Sequence, residues 1–146
     1  VGTGRKLTNG SDLAILSIGH PGNFAKEAIA DMKATGMSVA HYDMRFVKPI
    51  DEVMLHEVFS KFKKVITVED GTVMGGFGSA VIEFMAEHNY SAQVVRLGIP
   101  DRYVHHGKQK ELWAECGFDK TGIEKTVKRM LDYSEGSDSI ASEKLG

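Results

Sequence analysis

Apolar and polar positions along this chain alternate between runs of period two and runs of period near 3.6. Asp12 to Ile18 (DLAILSI) is a compact apolar run between Asn9-Gly10 and Gly19, the pattern of a buried strand. From Asn23 to Thr35, Ala25, Ala28, Ile29 and Met32 fall at i, i+3, i+4 and i+7, which predicts a one-faced helix ended by Gly36. Ser38 to Asp43 (SVAHYD) predicts the next strand. Pro49 and Asp51 then announce a second helix, since proline cannot continue a ladder and Asp51 can accept free N–H groups of a first turn. Its inner face is Leu55, Val58, Phe59 and Phe62.

The second half repeats the theme. Lys64 to Val68 (KVITV) is β-branched and predicts a strand. Gly75 to His88 predicts a helix with Phe77, Ala80, Val81, Phe84 and Met85 inward, and Gln93 to Leu97 the last clear strand. A loop from Gly98 to Gly107 leads to a short helix holding Leu112, Trp113 and Cys116. Thr121-Gly122-Ile123-Glu124 has the form of a capping box, and the helix it opens would bury Ile123, Val127, Met130 and Leu131. Strands alternating with helices predict an α/β domain, a mostly parallel sheet covered on both faces. Gly4 to Thr8 adds a short edge strand. One domain over 1–133 and a flexible tail over 134–146 are expected, the tail because its Ser, Gly, Asp and Glu show no period.

Composition narrows the function classes. At 146 residues, 42% hydrophobic and 26% charged, with a net charge of −2, the chain reads as one soluble domain with a real core. It lacks the basic stripe of a nucleic-acid binder. A single cysteine, Cys116, forms no internal disulfide. No apolar run approaches the ~18 residues of a membrane span, and with no signal peptide the expected compartment is the cytoplasm. The first residue is valine, which hints at an excised piece of a longer chain. Asn9-Gly10-Ser11 and Asn89-Tyr90-Ser91 match the glycosylation sequon and are read as chance.

Candidate chemistry gathers where the strands end, the usual place for ligands in open α/β sheets. Gly22 and Asn23 at a helix start would offer N–H groups to an anion; the plainer reading is a tight turn with Asn23 as N-cap. His20 has the titration range of a general acid or base, or is simply an exposed loop residue. Asp43 and Arg45 would hold a charged substrate, or pair to position the following turn. Glu69 and Asp70 are acid/base candidates, or carboxylates stabilised by the helix start behind them. Gly76-x-Gly78 resembles a dinucleotide loop, but Val81 stands where a third glycine belongs, so close helix–sheet approach explains it better. His105 and His106 are adjacent and would diverge instead of chelating one metal. Asp101, Tyr103 and His106 sit in a loop whose mix of aromatic, charged and apolar residues has the composition of an interface. No catalytic, cofactor-binding or metal residue is assigned; His20, Asn23, Asp43, Arg45, Glu69, Asp101, Tyr103 and His106 are possible anion or interface positions.

Asp43-Met44-Arg45-Phe46-Val47-Lys48-Pro49-Ile50-Asp51, Thr67-Val68-Glu69-Asp70 and Gly75-Gly76-Phe77-Gly78-Ser79-Ala80-Val81 together resemble the C-terminal domain of the transketolase superfamily. Gly98-Ile99-Pro100-Asp101-Arg102-Tyr103, His106-Gly107, Gly117-Phe118-Asp119 and Gly122-Ile123 narrow the likeness to one thiamine-diphosphate branch, and it runs from about Gly4 to Leu131. The resemblance implies a three-layer α/β/α fold with a five-stranded mixed sheet whose first edge strand is antiparallel. It also implies a full-length homodimer that joins pyruvate to glyceraldehyde 3-phosphate with loss of CO₂. Thiamine diphosphate and magnesium would be bound by preceding domains of the same polypeptide. The magnesium motif, Gly-Asp-Gly with a distant Asn, is absent; Glu69-Asp70-Gly71 has the wrong setting. The chain alone is therefore expected to bind no cofactor and to be inactive. His20-Pro21-Gly22 departs from the family's first turn. Two other readings are the partner-docking domain of a 2-oxoacid dehydrogenase β-subunit, against which the Gly98–Gly107 stretch argues, and a small-anion sensor.

Overall fold

A computed structural model describes residues 4–45, 50–72, 76–99 and 114–131. The elements run β1 (Arg5–Thr8), β2 (Leu13–Ile18), α1 (Pro21–Lys33), β3 (Val39–Asp43), α2 (Glu52–Lys61), β4 (Lys64–Thr72), α3 (Phe77–Glu87) and β5 (Gln93–Ile99). A last helix, α4, occupies 120–131. The sheet order is β1-β3-β2-β4-β5. β1 pairs antiparallel with β3, and every other pairing is parallel. The three-layer architecture and the antiparallel first edge strand that the family resemblance implies are both present.

Strand alternation sorts the core into two layers. Leu13, Ile15, Val39, Ile66 and Val68 pack with Ala25, Ala28 and Met32 of α1 and with Ile123, Val127 and Met130 of α4. Ala14, Leu16, Ala40, Tyr42 and Val65 pack with Leu55, Val58 and Phe59 of α2 and with Phe77, Val81 and Phe84 of α3. A strand buried on both faces needs a continuous apolar run, not an alternation, and β2 is such a strand. Each fully buried Leu, Ile or Phe is worth about 1.5–3 kcal/mol.

Several boundaries depart from the sequence reading. α1 begins at Pro21, not Asn23, because proline lacks the N–H that a first helical position leaves unused. It ends at Lys33, and Gly36 adopts φ +84°, which lets Met37 N–H return to the Met32 carbonyl at 3.3 Å. β4 runs on through Thr72, so Glu69 and Asp70 lie within the strand instead of after it. α3 begins at Phe77. The capping box fails: Asp119 Oδ1 accepts the Gly122 N–H at 2.9 Å, and Thr121 lies inside the first turn. Asp51, by contrast, caps α2 as expected, accepting the Met54 N–H at 3.0 Å. Leu112, Trp113, most of the Gly98–Gly107 loop and the 134–146 tail lie outside the described residues.

Candidate functional site

The carboxyl ends of β2, β3 and β4 bring the candidates of the first three turns to one rim, and most of their polar groups find partners within the domain. In the turn from β2 to α1, Gly22 N–H donates to the Gly19 carbonyl at 3.2 Å and Asn23 N–H to the His20 carbonyl at 2.9 Å. Pro21 has no N–H. The first turn of α1 thus keeps its donors for its own backbone, and Asn23 is not its N-cap. His20 packs edge-on against Phe24, with ring centroids 5.2 Å apart. At the end of β3, Asp43 Oδ1 accepts the backbone N–H of Arg45 at 3.0 Å, and Arg45 takes φ +59°. Asp43 thereby braces a left-handed residue that a non-glycine adopts only at a cost.

Glu69 is the buried carboxylate of the rim, 4% exposed. Its two oxygens accept the Phe77 N–H at 3.0 Å and the Gly78 N–H at 2.7 Å. This carboxylate caps α3, whose N-cap position, Gly76, has no side chain to do so. Burial pushes the Glu69 carboxyl above its ordinary range, and the two N–H bonds pull the other way without cancelling it. The cap also decides the fate of the glycine-rich turn. A phosphate at α3 would need the very N–H groups that Glu69 holds. Gly78 serves packing: a Cβ there would lie 2.8 Å from Thr67 Oγ1 and 2.9 Å from Arg96 Cγ.

Beneath α1 lies a polar pair that the sequence reading did not single out. His41 is fully buried, and its Nε2 is 2.7 Å from Ser17 Oγ. A Cβ on Gly22 would sit 3.0 Å from the same hydroxyl, so the α1 turn closes directly over the pair. Burial pushes the imidazole down to about 4; Asp43 opposes this and Lys26 of α1 adds to it. His41 Nδ1 and Thr67 Oγ1 are the buried side-chain atoms without a hydrogen-bond partner among the described residues. The one signal in the sequence was a lone histidine in the middle of an apolar strand.

The described residues do not fit a thiamine diphosphate or magnesium centre. They hold no group of three or more His, Cys, Asp or Glu side chains that could bind a metal, and the Phe77 and Gly78 N–H groups at the start of α3 are held by Glu69. Cys116 is half-buried against the α1–α4 layer, and burial raises its thiol above the ordinary value, which disfavours a nucleophilic thiolate. No described helix is long and apolar enough to cross a membrane. Asp101, Tyr103 and His106 lie outside the described residues.

The five-stranded sheet with its reversed first strand defines a class, and residues 2–123 match the family model "Transketolase, C-terminal domain". The chain belongs to that family. It is 65% identical over 130 residues to the 1-deoxy-D-xylulose-5-phosphate synthase of Cytophaga hutchinsonii, covering 89% of this chain and 20% of that one. It is 50% identical over 133 residues to the synthase of the same name from Bacteroides thetaiotaomicron, covering 90% of this chain and 21% of that one. The chain therefore spans about a fifth of the length of these relatives. Among solved structures, a split-gene transketolase in an inactive β4 tetramer superposes with a TM-score of 0.81 at 32% identity, covering 89% of this chain and 42% of that one. The transketolase of Campylobacter jejuni superposes at 0.60 with 16% identity over 86% of this chain and 18% of that one, a likeness of fold alone.

Proposed function

We propose that this chain is the C-terminal structural and assembly domain of a 1-deoxy-D-xylulose-5-phosphate synthase. The full-length enzyme condenses pyruvate with glyceraldehyde 3-phosphate, with loss of CO₂, and so feeds isoprenoid and thiamine biosynthesis. Thiamine diphosphate and magnesium belong to the preceding domains, and the working form is a homodimer in the cytoplasm. The observation that carries this reading is the 65% identity over nearly the whole chain to a protein of that name. The internal use of the rim's polar groups supports a scaffold over a sensor. Glu69 closes α3, Asp43 braces Arg45, and the α1 turn bonds to itself. The tetrameric state of the split-gene transketolase supports an assembly role. Asp101, Tyr103 and His106 are assigned to an interface with another domain or the partner subunit.

The test is made on the full-length polypeptide. Purified enzyme given pyruvate, glyceraldehyde 3-phosphate, thiamine diphosphate and magnesium should release CO₂ and form deoxyxylulose phosphate. Tyr103→Ala should weaken assembly or turnover, an interface anchor being worth about 2 kcal/mol or more. A full-length protein that decarboxylates pyruvate only with a dehydrogenase acyltransferase present would overturn the assignment.

A further inference from the structure

The chain enters the fold at a groove. Gly4 N–H donates to Asp51 Oδ2 at 2.7 Å, while Asp51 Oδ1 accepts the Met54 N–H. One carboxylate thus ties the incoming backbone to the start of α2. Beside that tie lies a groove of about 410 Å³ lined by Gly4, Lys6, Asp51, Val53, Met54 and Glu57. Val53 is 83% exposed, the large hydrophobic side chain most open to solvent among the described residues. A lone exposed valine ordinarily needs no explanation. This one stands in a groove whose polar side is already fixed. Lys6 Nζ is 2.9 Å from Glu57 Oε2, Tyr42 OH donates to the same oxygen at 2.8 Å, and the Lys6 ammonium lies 5.6 Å from the centre of the Tyr42 ring. An apolar centre with a polar rim held in place before contact is the plan of a docking surface.

The occupant follows from the length of the relatives. They are more than four times as long as this chain, and the family is a C-terminal domain, so the rest of such a polypeptide arrives through Gly4, at the end of this groove. We infer that the β1–α2 groove centred on Val53 is the seat of the preceding domain of the same polypeptide, with Asp51 setting the angle at which the incoming chain meets it. The inference rests on the proposed function only for the existence of that domain.

Thiol labelling of the full-length polypeptide tests it, in a Cys116→Ser background with other accessible cysteines removed. Val53→Cys should react with a maleimide about tenfold more slowly than Lys128→Cys on the open face of α4, because a covered thiol reacts only when the contact opens. Val53→Arg should make the segment ahead of Gly4 about tenfold more sensitive to limited proteolysis, for the same reason. Equal labelling rates with unchanged proteolysis overturn the proposal and leave the functional assignment standing. Protection that grows with protein concentration places a second copy in the groove and overturns it too. A coding sequence with no further domain ahead of residue 1 overturns both.

Discussion

Beneath α1, burial keeps His41 neutral against Ser17, with one ring nitrogen unpartnered; beneath α3, burial is imposed on a carboxylate, and the helix start supplies two donors to meet it. The two faces of one sheet thus solve the same problem with opposite chemistry. On the α1 face the buried base is held in its neutral form. On the α3 face an acid replaces the missing cap of a glycine-started helix. The difference teaches that polar residues near strand ends, which in this class of fold invite a catalytic reading, can serve to hold helices to the sheet.

Acid should separate the faces most. With a folded pKa of about 4 against an ordinary 6.5, His41 binds fewer protons folded than unfolded between those values. Its contribution is complete above the unfolded value and is lost as the pH falls through that window, about 3 kcal/mol in all. Urea midpoints measured down this range should fall, and His41→Gln should flatten the decline. Glu69 runs the other way. Its folded pKa is raised above the ordinary 4.5, so its contribution is present below the unfolded value and lost as the pH rises through the folded one. A variant lacking Glu69 should therefore keep the His41 acid transition.

Gly78→Leu probes the contact of α3 with the sheet. The new side chain meets Thr67 and Arg96, and a forced fit costs about 1–3 kcal/mol. The melting temperature should drop, and an unchanged value would mean that α3 lies farther from β4 and β5 than 2.8 Å to a Cβ implies. Smaller is the effect of Glu69→Ala, which removes the cap from α3 for about 1 kcal/mol. Amide exchange at Phe77 and Gly78 should rise in that variant while exchange in α1 stays as it was.

Much of this was legible in residue order. The apolar run of β2, the inner faces of α1, α2 and α3, and the Asp51 cap each depend on neighbours within a few positions, so local pattern sufficed. The rest depended on distance. Glu69 meets N–H groups eight and nine residues further on, which only the return of α3 onto β4 reveals. Ser17 and His41 are 24 residues apart and join through the parallel pairing of β2 with β3. The start of α4 was misplaced because Thr121 and Glu124 have the right spacing for a box, yet Asp119 reaches the Gly122 N–H first. Pro21 suited both a turn and a first helical position, and the backbone bonds of the turn decided for the helix.

The central claim is that Glu69, near the end of β4, closes the start of α3 to an outside anion. Isothermal titration of the chain with thiamine diphosphate and magnesium tests it most directly. The account predicts only the heat of dilution. Saturable binding at micromolar cofactor, lost when Glu69 or Gly78 is replaced, would show that the α3 start opens to a diphosphate and would contradict it.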